Sequence, residues 1–207
     1  MDYQSSYDRV ADEYTRRIFD ELQHKPLDRQ LLDRFAATVR DRGPACDIGT
    51  GPGHVAQYLH QRGLQVTGID LSPAMIQRAK ALVPGVEFEQ GNMQSLAAPD
   101  HAYAGLTAFY CLIHIPPESL TPTLLELRRV LQPAGTLLLA FHLGEGSLHL
   151  DEWWGQKVNL DFFLFRSDQM AGHLRAANFE IEEIIERDPY PIIEYPSRRS
   201  YIFAKRR

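Results

Sequence analysis

The residues whose chemistry is easiest to read lie in one stretch, Ala45 to Ala56, ACDIGTGPGHVA. Gly49, Gly51 and Gly53 alternate there, a spacing that lets a backbone turn sharply and lie against a ligand with no Cβ in the way. The turn runs from an apolar strand into a helix beginning near His54, and the first amides of that helix favour a negative or electron-rich group. A dinucleotide fingerprint, G-x-G-x-x-G/A, would need Gly or Ala where His54 stands. Asp47, just ahead of the first glycine, repels a pyrophosphate and attracts an ammonium. The turn therefore suits a positively charged cofactor better than NAD. A turn that only packs a helix on a sheet is the plain alternative.

Three more side chains could do chemistry. Leu64 to Ile69, LQVTGI, reads as a strand delivering Asp70 at its C-terminal end, the edge where ligands bind in a doubly wound sheet. A carboxylate there can accept from both hydroxyls of a ribose. Its other possible task, capping the next helix, is already covered by Ser72-Pro73. His114 and His142 each follow a strand, and imidazole titrates near neutrality, so both are candidate general bases. A structural role at the rim explains either one equally well. His114, His142 and His149 share no ligand-like spacing, so no metal site is expected.

Positioning these groups requires alternating strands and helices. Asp2 to Phe19 places Tyr7, Val10 and Tyr14 on one helical face, and Pro26 to Arg40 repeats apolar residues at helical spacing before Gly43-Pro44 stops it. Helices follow from His54 to Gly63, from Pro73 to Leu82 and after Pro117; Val86 to Glu89, a run ending near Ala108 and the apolar Thr136 to Phe141 read as strands. Leu143 to Arg166, with Trp153, Trp154 and Phe162, is rich enough in aromatic residues to cover a pocket. Ser167 caps a further helix, and strands at Phe179 to Glu186 and Arg199 to Lys205 flank a Pro-rich loop.

Taken together, D-x-G-x-G-x-G at Asp47 to Gly53, the acid at Asp70, Gly91-Asn92-Met93, the His114 stretch, the tyrosine-bearing first helix and the closing hairpin resemble the class I S-adenosylmethionine (SAM) dependent methyltransferases of the small, single-domain, small-molecule type. The resemblance implies a Rossmann-like, doubly wound α/β fold, a seven-stranded sheet mostly parallel with a C-terminal antiparallel hairpin. It implies a helical cap over residues 1–43, a SAM-binding core over 44–142, an aromatic lid-like insert over 143–166 and a closing helix and hairpin over 167–207. SAM would meet Tyr14, Asp47, Gly49, Thr50, Gly51, Gly53, Asp70, Leu71, Met75, Asn92, Met93 and Tyr110, leaving S-adenosylhomocysteine as product. Relatives usually read G-D-M where Asn92 stands, so its neutral carbonyl would make a weaker contact to adenine than a charged one. The implied reaction moves a methyl group to an O, N or S nucleophile of a small molecule. A SAM-binding protein of this fold without methylation, or an NAD-type oxidoreductase disfavoured by His54, are the alternatives.

Composition sets the outer limits. The 207 residues are 44% hydrophobic and 24% charged, in the range of one globular domain with a full core. A formal net charge of -5 gives no general affinity for nucleic acid. No apolar run approaches a membrane span, and MDYQSSYDRV lacks the apolar region of a signal peptide, so a cytoplasmic location is expected. Cys46 and Cys111 lie in apolar runs and read as buried free thiols. The basic cluster Arg198, Arg199, Lys205, Arg206 and Arg207 reads as a solvated strand and tail. Oligomeric state is left open.

Overall fold

The computed structural model describes residues 2–207. Two helices precede the sheet, α1 (Tyr3–Ile18) and α2 (Pro26–Val39). The Asp2 side chain caps α1 by accepting the Ser5 amide at 3.1 Å, and Pro26 opens α2 where a missing N–H leaves nothing unpaired. The chain then alternates through β1 (Ala45–Ile48), α3 (His54–Gln61), β2 (Val66–Asp70), α4 (Pro73–Leu82), β3 (Glu87–Gln90), β4 (Tyr103–Phe109), α5 (Pro117–Val130) and β5 (Leu131–His142). β6 (Ser147–Trp153) and β7 (Gln156–Phe163) come next, then α6 (Ser167–Ala176), β8 (Phe179–Arg187) and β9 (Arg199–Arg206).

Seven strands form one sheet in the order β3-β2-β1-β4-β5-β9-β8. β1 to β5 pair in parallel, while β9 runs antiparallel to both β5 and β8. From β1 the chain moves outward to β2 and β3, then returns to place β4 on the other side of β1. That reversal opens a crevice at the C-terminal ends of β1 and β4, where a doubly wound sheet takes its ligand. Successive residues of a strand face opposite sides, so each side of this sheet has its own core. Leu137 and Leu139 share a cluster with Leu120, Leu124 and Leu127 of α5 and with Met170 and Leu174 of α6. Leu138 and Ala140 share the other with Phe35 of α2 and Leu59 of α3. Cys46 and Cys111 are buried and free. Among the described residues no helix is long and apolar enough to cross a membrane.

Two expectations need correction, and a third gains its form. The aromatic segment after β5 is a hairpin: β6 and β7 pair antiparallel across Trp154-Gly155, whose φ values of +53° and +77° make the mirror-image turn that matches strand twist. Ser167 is the first helical residue of α6 and not its cap; its hydroxyl bridges Glu186 (2.7 Å) and Ser200 (2.8 Å) instead. Arg199 is not solvated but 3% exposed, paired with Glu194 at 3.3 Å.

α1 lies across the hairpin and against α4. Val10, Val158 and Leu160 form a small core of their own, joined by Tyr7, Tyr14 and Trp153. The joints are specific. Ser6 accepts the Asn159 amide of β7 at 2.9 Å, and Asp8 accepts the Ser72 hydroxyl and, at 3.2 Å, the Ala74 amide where α4 begins.

Candidate functional site

Beneath the glycine turn, Asp47 is 2% exposed and each carboxylate oxygen accepts one hydroxyl at 2.6 Å, from Thr50 and from Thr107. Burial raises its pKa, and the two hydroxyls pull it back. Asp47 and Thr50 thus hold the turn from below and do not line the cavity above it, nor does Gly53, which caps α3. Gly49 and Gly51 do line it. At Gly49, φ +65°, an added Cβ would fall 2.3 Å from the Cβ of Cys111, so only glycine lets the end of β4 close on the turn. Gly51, φ +54°, presents its bare backbone toward the Tyr14 ring, 3.7 Å from where a Cβ would stand.

Asp70 faces the turn from β2. One oxygen accepts the Gly51 amide at 2.8 Å and the other the Ser72 amide at 2.9 Å. The carboxylate therefore helps to organise the entry to α4 beside Ser72, whose hydroxyl caps the helix by accepting the Met75 amide at 3.1 Å, while also lining the cavity. Burial, reinforced by the nearby Asp47 and Asp8 charges, lifts its pKa to about 6 against the two amides. Leu71, Met75, Asn92 and Met93 continue the same wall. The Asn92 side-chain carbonyl already accepts the Gln94 amide at 2.9 Å, closing a turn of its own.

On the far wall, Tyr110 takes φ +54° as the chain leaves β4, and Cys111 leads into a 3-10 turn at Leu112–His114. The His114 Nδ1 lies 2.9 Å from the Asp161 carbonyl of β7. A carbonyl can only accept, so Nδ1 carries the proton and Nε2 is bare. The Tyr7 hydroxyl, 2.6 Å away, therefore donates to Nε2. Burial pushes the imidazole pKa down to about 4, and the rings of Tyr3 and Phe162 pack at 5.2 and 4.8 Å from it. His142 meets a different fate. Its Nδ1 pairs with the Ser197 hydroxyl at 2.7 Å, the Tyr110 ring packs on it at 5.0 Å, and it does not line the cavity. Burial and the charges of Arg199 and Lys25 hold its pKa near about 4. The expectation that His142 serves this site is therefore corrected.

These walls enclose a cavity of about 190 Å³ that, among the described residues, no lysine or arginine lines. A methyltransferase-domain profile matches residues 45–135, the stretch from β1 to the start of β5 that carries the turn and Asp70. The profile marks this stretch as a methyltransferase domain, on a fold shared with SAM-dependent methyltransferases. It is 30% identical over 138 residues to a malonyl-[acyl-carrier protein] O-methyltransferase of Pseudescherichia vulneris, covering 63% of this chain and 52% of that one. It is 35% identical over 140 residues to a trans-aconitate 2-methyltransferase of Paracidovorax citrulli, covering 64% and 47%. The chain thus spans about half the length of these curated relatives. Among solved structures, a SAM-dependent methyltransferase from Methanosarcina mazei superposes with TM-score 0.74 at 19% identity, covering 82% of this chain and 95% of that one. A Burkholderia thailandensis 1,6-didemethyltoxoflavin-N1-methyltransferase with bound S-adenosylhomocysteine gives 0.69 at 20%, covering 99% and 85%.

The residues around this cavity fit SAM, the cofactor of SAM-dependent methyltransferases. Gly49 and Gly51 leave bare backbone that a Cβ would obstruct, Asp70 offers carboxylate lone pairs, and aromatic and thioether side chains supply flat apolar surface. Tyr14 and Tyr110 also line the cavity. Tyr3, Tyr7 and Asp8 had been given no role as site residues. Their signal was present: Tyr3, Tyr7 and Tyr14 recur at spacings of four and seven, one face of a helix. Among the described residues no group of three or more His, Cys, Asp or Glu comes together as a metal site.

Proposed function

We propose that the chain binds SAM between the glycine turn and α1 and moves its methyl group to a nucleophile of a small molecule held beneath α1 and the hairpin. The observation that carries this reading is Asp70, which ties Gly51 to β2 while its carboxylate lines the cavity at the switch point of the sheet. When bound, the cofactor supplies a methyl group already activated by sulfonium charge. The chain's own work is positioning and exclusion of water. Asp70 accepts from the ribose hydroxyls, Gly49 and Gly51 admit the amino-acid end beside Tyr14, and Leu71, Met75 and Met93 flank the base, with Asn92 at its edge. Asp47 contributes its charge from below the turn. α1 and the β6–β7 hairpin form the roof and close over both ligands as a lid. His54 sits where a dinucleotide fold has its third glycine, the one that packs helix against strand, and its ring is 3.3 Å from Glu21.

Isothermal titration tests the reading. SAM and S-adenosylhomocysteine should bind and NAD should not; NAD binding with no response to either SAM-type ligand would overturn it. For the lid, amide exchange in Tyr3 to Ile18 and Ser147 to Phe163 should slow with saturating S-adenosylhomocysteine. Equal protection with and without ligand means the roof is fixed.

A further inference from the structure

The hydrogen-bond polarity at the roof of the cavity is fixed by a chain of three groups. The Asp161 carbonyl makes the His114 Nδ1 a donor, the bare Nε2 makes Tyr7 a donor to it, and that contact uses the one proton the Tyr7 hydroxyl has. What the Tyr7 oxygen can still offer a ligand is a lone pair. The arrangement is not free to reverse. The Tyr7 ring is wedged edge-on against Tyr14 (5.9 Å), Trp153 (6.1 Å) and His114 (5.3 Å), and turning its proton inward would strand Nε2 without a partner in a buried place. His114, held near about 4 by burial, remains unprotonated at neutral pH and so keeps its acceptor role. Across the cavity Asp70 is a second group that accepts, and among the described residues no lysine or arginine faces in.

We infer that the methyl acceptor is a nucleophile that carries its own hydrogen, a hydroxyl or an amine, and not a carboxylate, with Tyr7 as the residue that selects it and His114 as the positioning residue behind Tyr7. This rests on the cofactor reading above and narrows it. A carboxylate arriving beneath α1 meets the Tyr7 lone pairs and the Asp70 charge, with no lysine or arginine among the described residues of the lining to receive it. An O–H or N–H group instead donates to Tyr7, which turns the acceptor's own lone pair away from α1 and down into the cavity. A site built to receive such a donor discriminates steeply against a ligand that lacks one, because its own polar group is then left unpaired.

The test uses the whole chain saturated with S-adenosylhomocysteine and three small probes that share a ring: p-cresol, benzylamine and phenylacetate. Binding is read by titration calorimetry or ligand-observed NMR, so no turnover is needed. At least one of p-cresol and benzylamine should bind about tenfold or more tighter than phenylacetate, the size of one hydrogen bond. Tyr7→Phe keeps the ring and its packing but should cut the preference severalfold, leaving only the part that the Asp70 charge sets. His114→Phe frees the Tyr7 proton to point inward, so phenylacetate should gain on the other two. Phenylacetate binding as tightly as the others to the parent chain, neither p-cresol nor benzylamine binding, or an unchanged preference in Tyr7→Phe each overturns the inference while leaving the cofactor reading in place. Failure of S-adenosylhomocysteine itself to bind overturns both.

Discussion

The ends of β4 and β5 are adjacent in the sheet, with Phe109 opposite Ala140, and each delivers a histidine a few residues on. One reaches the cavity and the other does not. The difference is set by the neighbouring strand. β4 lies between β1 and β5, both parallel to it, so no neighbouring strand enters the sheet over its C-terminal end. Once Tyr110 has donated its amide to Ala140 (2.8 Å) the chain bends through its positive φ over the crevice. β5 has antiparallel β9 on its other side, and His142 stands opposite Arg199, the first residue of β9. The loop leading into β9 therefore passes over the exit of β5, where Ser197 and Tyr195 meet His142. A histidine at a strand exit is available to ligand where both neighbours run parallel, and is roofed over where one of them arrives from the opposite direction.

The largest effect is expected from breaking the β4 exit itself. Gly49→Val places a branched side chain against Cys111, where even a Cβ would sit 2.3 Å from its Cβ, and does so at a φ of +65°. Overpacking and left-handed strain together should cost about 2–5 kcal/mol, and the exit should no longer close on the turn. The measurements are thermal unfolding and titration with S-adenosylhomocysteine: a lowered midpoint and no detectable binding are expected. Binding within threefold of the parent would show that the contact between turn and exit is incidental.

A smaller effect sharpens the comparison by treating the two histidines alike. His114→Ala removes the acceptor that holds Tyr7 and the donor to the Asp161 carbonyl, so kcat/KM should fall about a hundredfold through misplacement of the acceptor. The affinity for S-adenosylhomocysteine should change little. His142→Ala takes away one hydrogen bond to Ser197 outside the cavity, and should cost about 1 kcal/mol of stability while leaving kcat/KM within threefold. Equal losses of activity in the two variants would remove the distinction drawn between the exits.

Much of this was legible in the chain, and the divide follows range of interaction. Apolar runs such as Thr136 to Phe141 and glycine or proline breaks such as Gly43-Pro44 are local, and they announced the strands, the helices and their order. The β6–β7 hairpin was also within reach: Val158 and Leu160 alternate with polar neighbours and become the buried face, and Trp154-Gly155 is a two-residue turn. The density of aromatic residues there drew attention to covering a pocket and away from the period of two. The withdrawal of His142 depends on a loop some fifty residues further along, and the burial of Arg199 on how that same loop, just ahead of it, folds back; no local pattern encodes where the loop passes. Asp70 lay between these cases. Its place at the strand end was readable, but its bond to Gly51 exists only because β1 and β2 are paired.

The smallest effect is one of pH, and it separates the two sides of the crevice without any substitution. Asp70 is lifted from a usual value of 3.8 to about 6, chiefly by burial, whereas both histidines are pushed down to about 4. Between pH 5 and 7 only Asp70, of these three, changes its charge. Sign follows from which state binds the proton. In the ligand-free fold Asp70 holds its proton up to about pH 6 while the unfolded chain has already released it, so stability falls as pH rises from about 4 to 6. A ribose that donates to the carboxylate, beside a sulfonium charge, favours the ionised form, so SAM binding should strengthen over the same rise and weaken as pH falls through 6. For one proton lost at a pKa near 6, the affinity for SAM should drop about tenfold from pH 7 to pH 5. Asp70→Asn should bind more weakly at pH 7 and lose that dependence, while His142→Ala should retain it in full. A parent affinity that is flat between pH 5 and 7 would mean that the carboxylate stays ionised through its amides from Gly51 and Ser72, and that it anchors the turn without answering to the ligand.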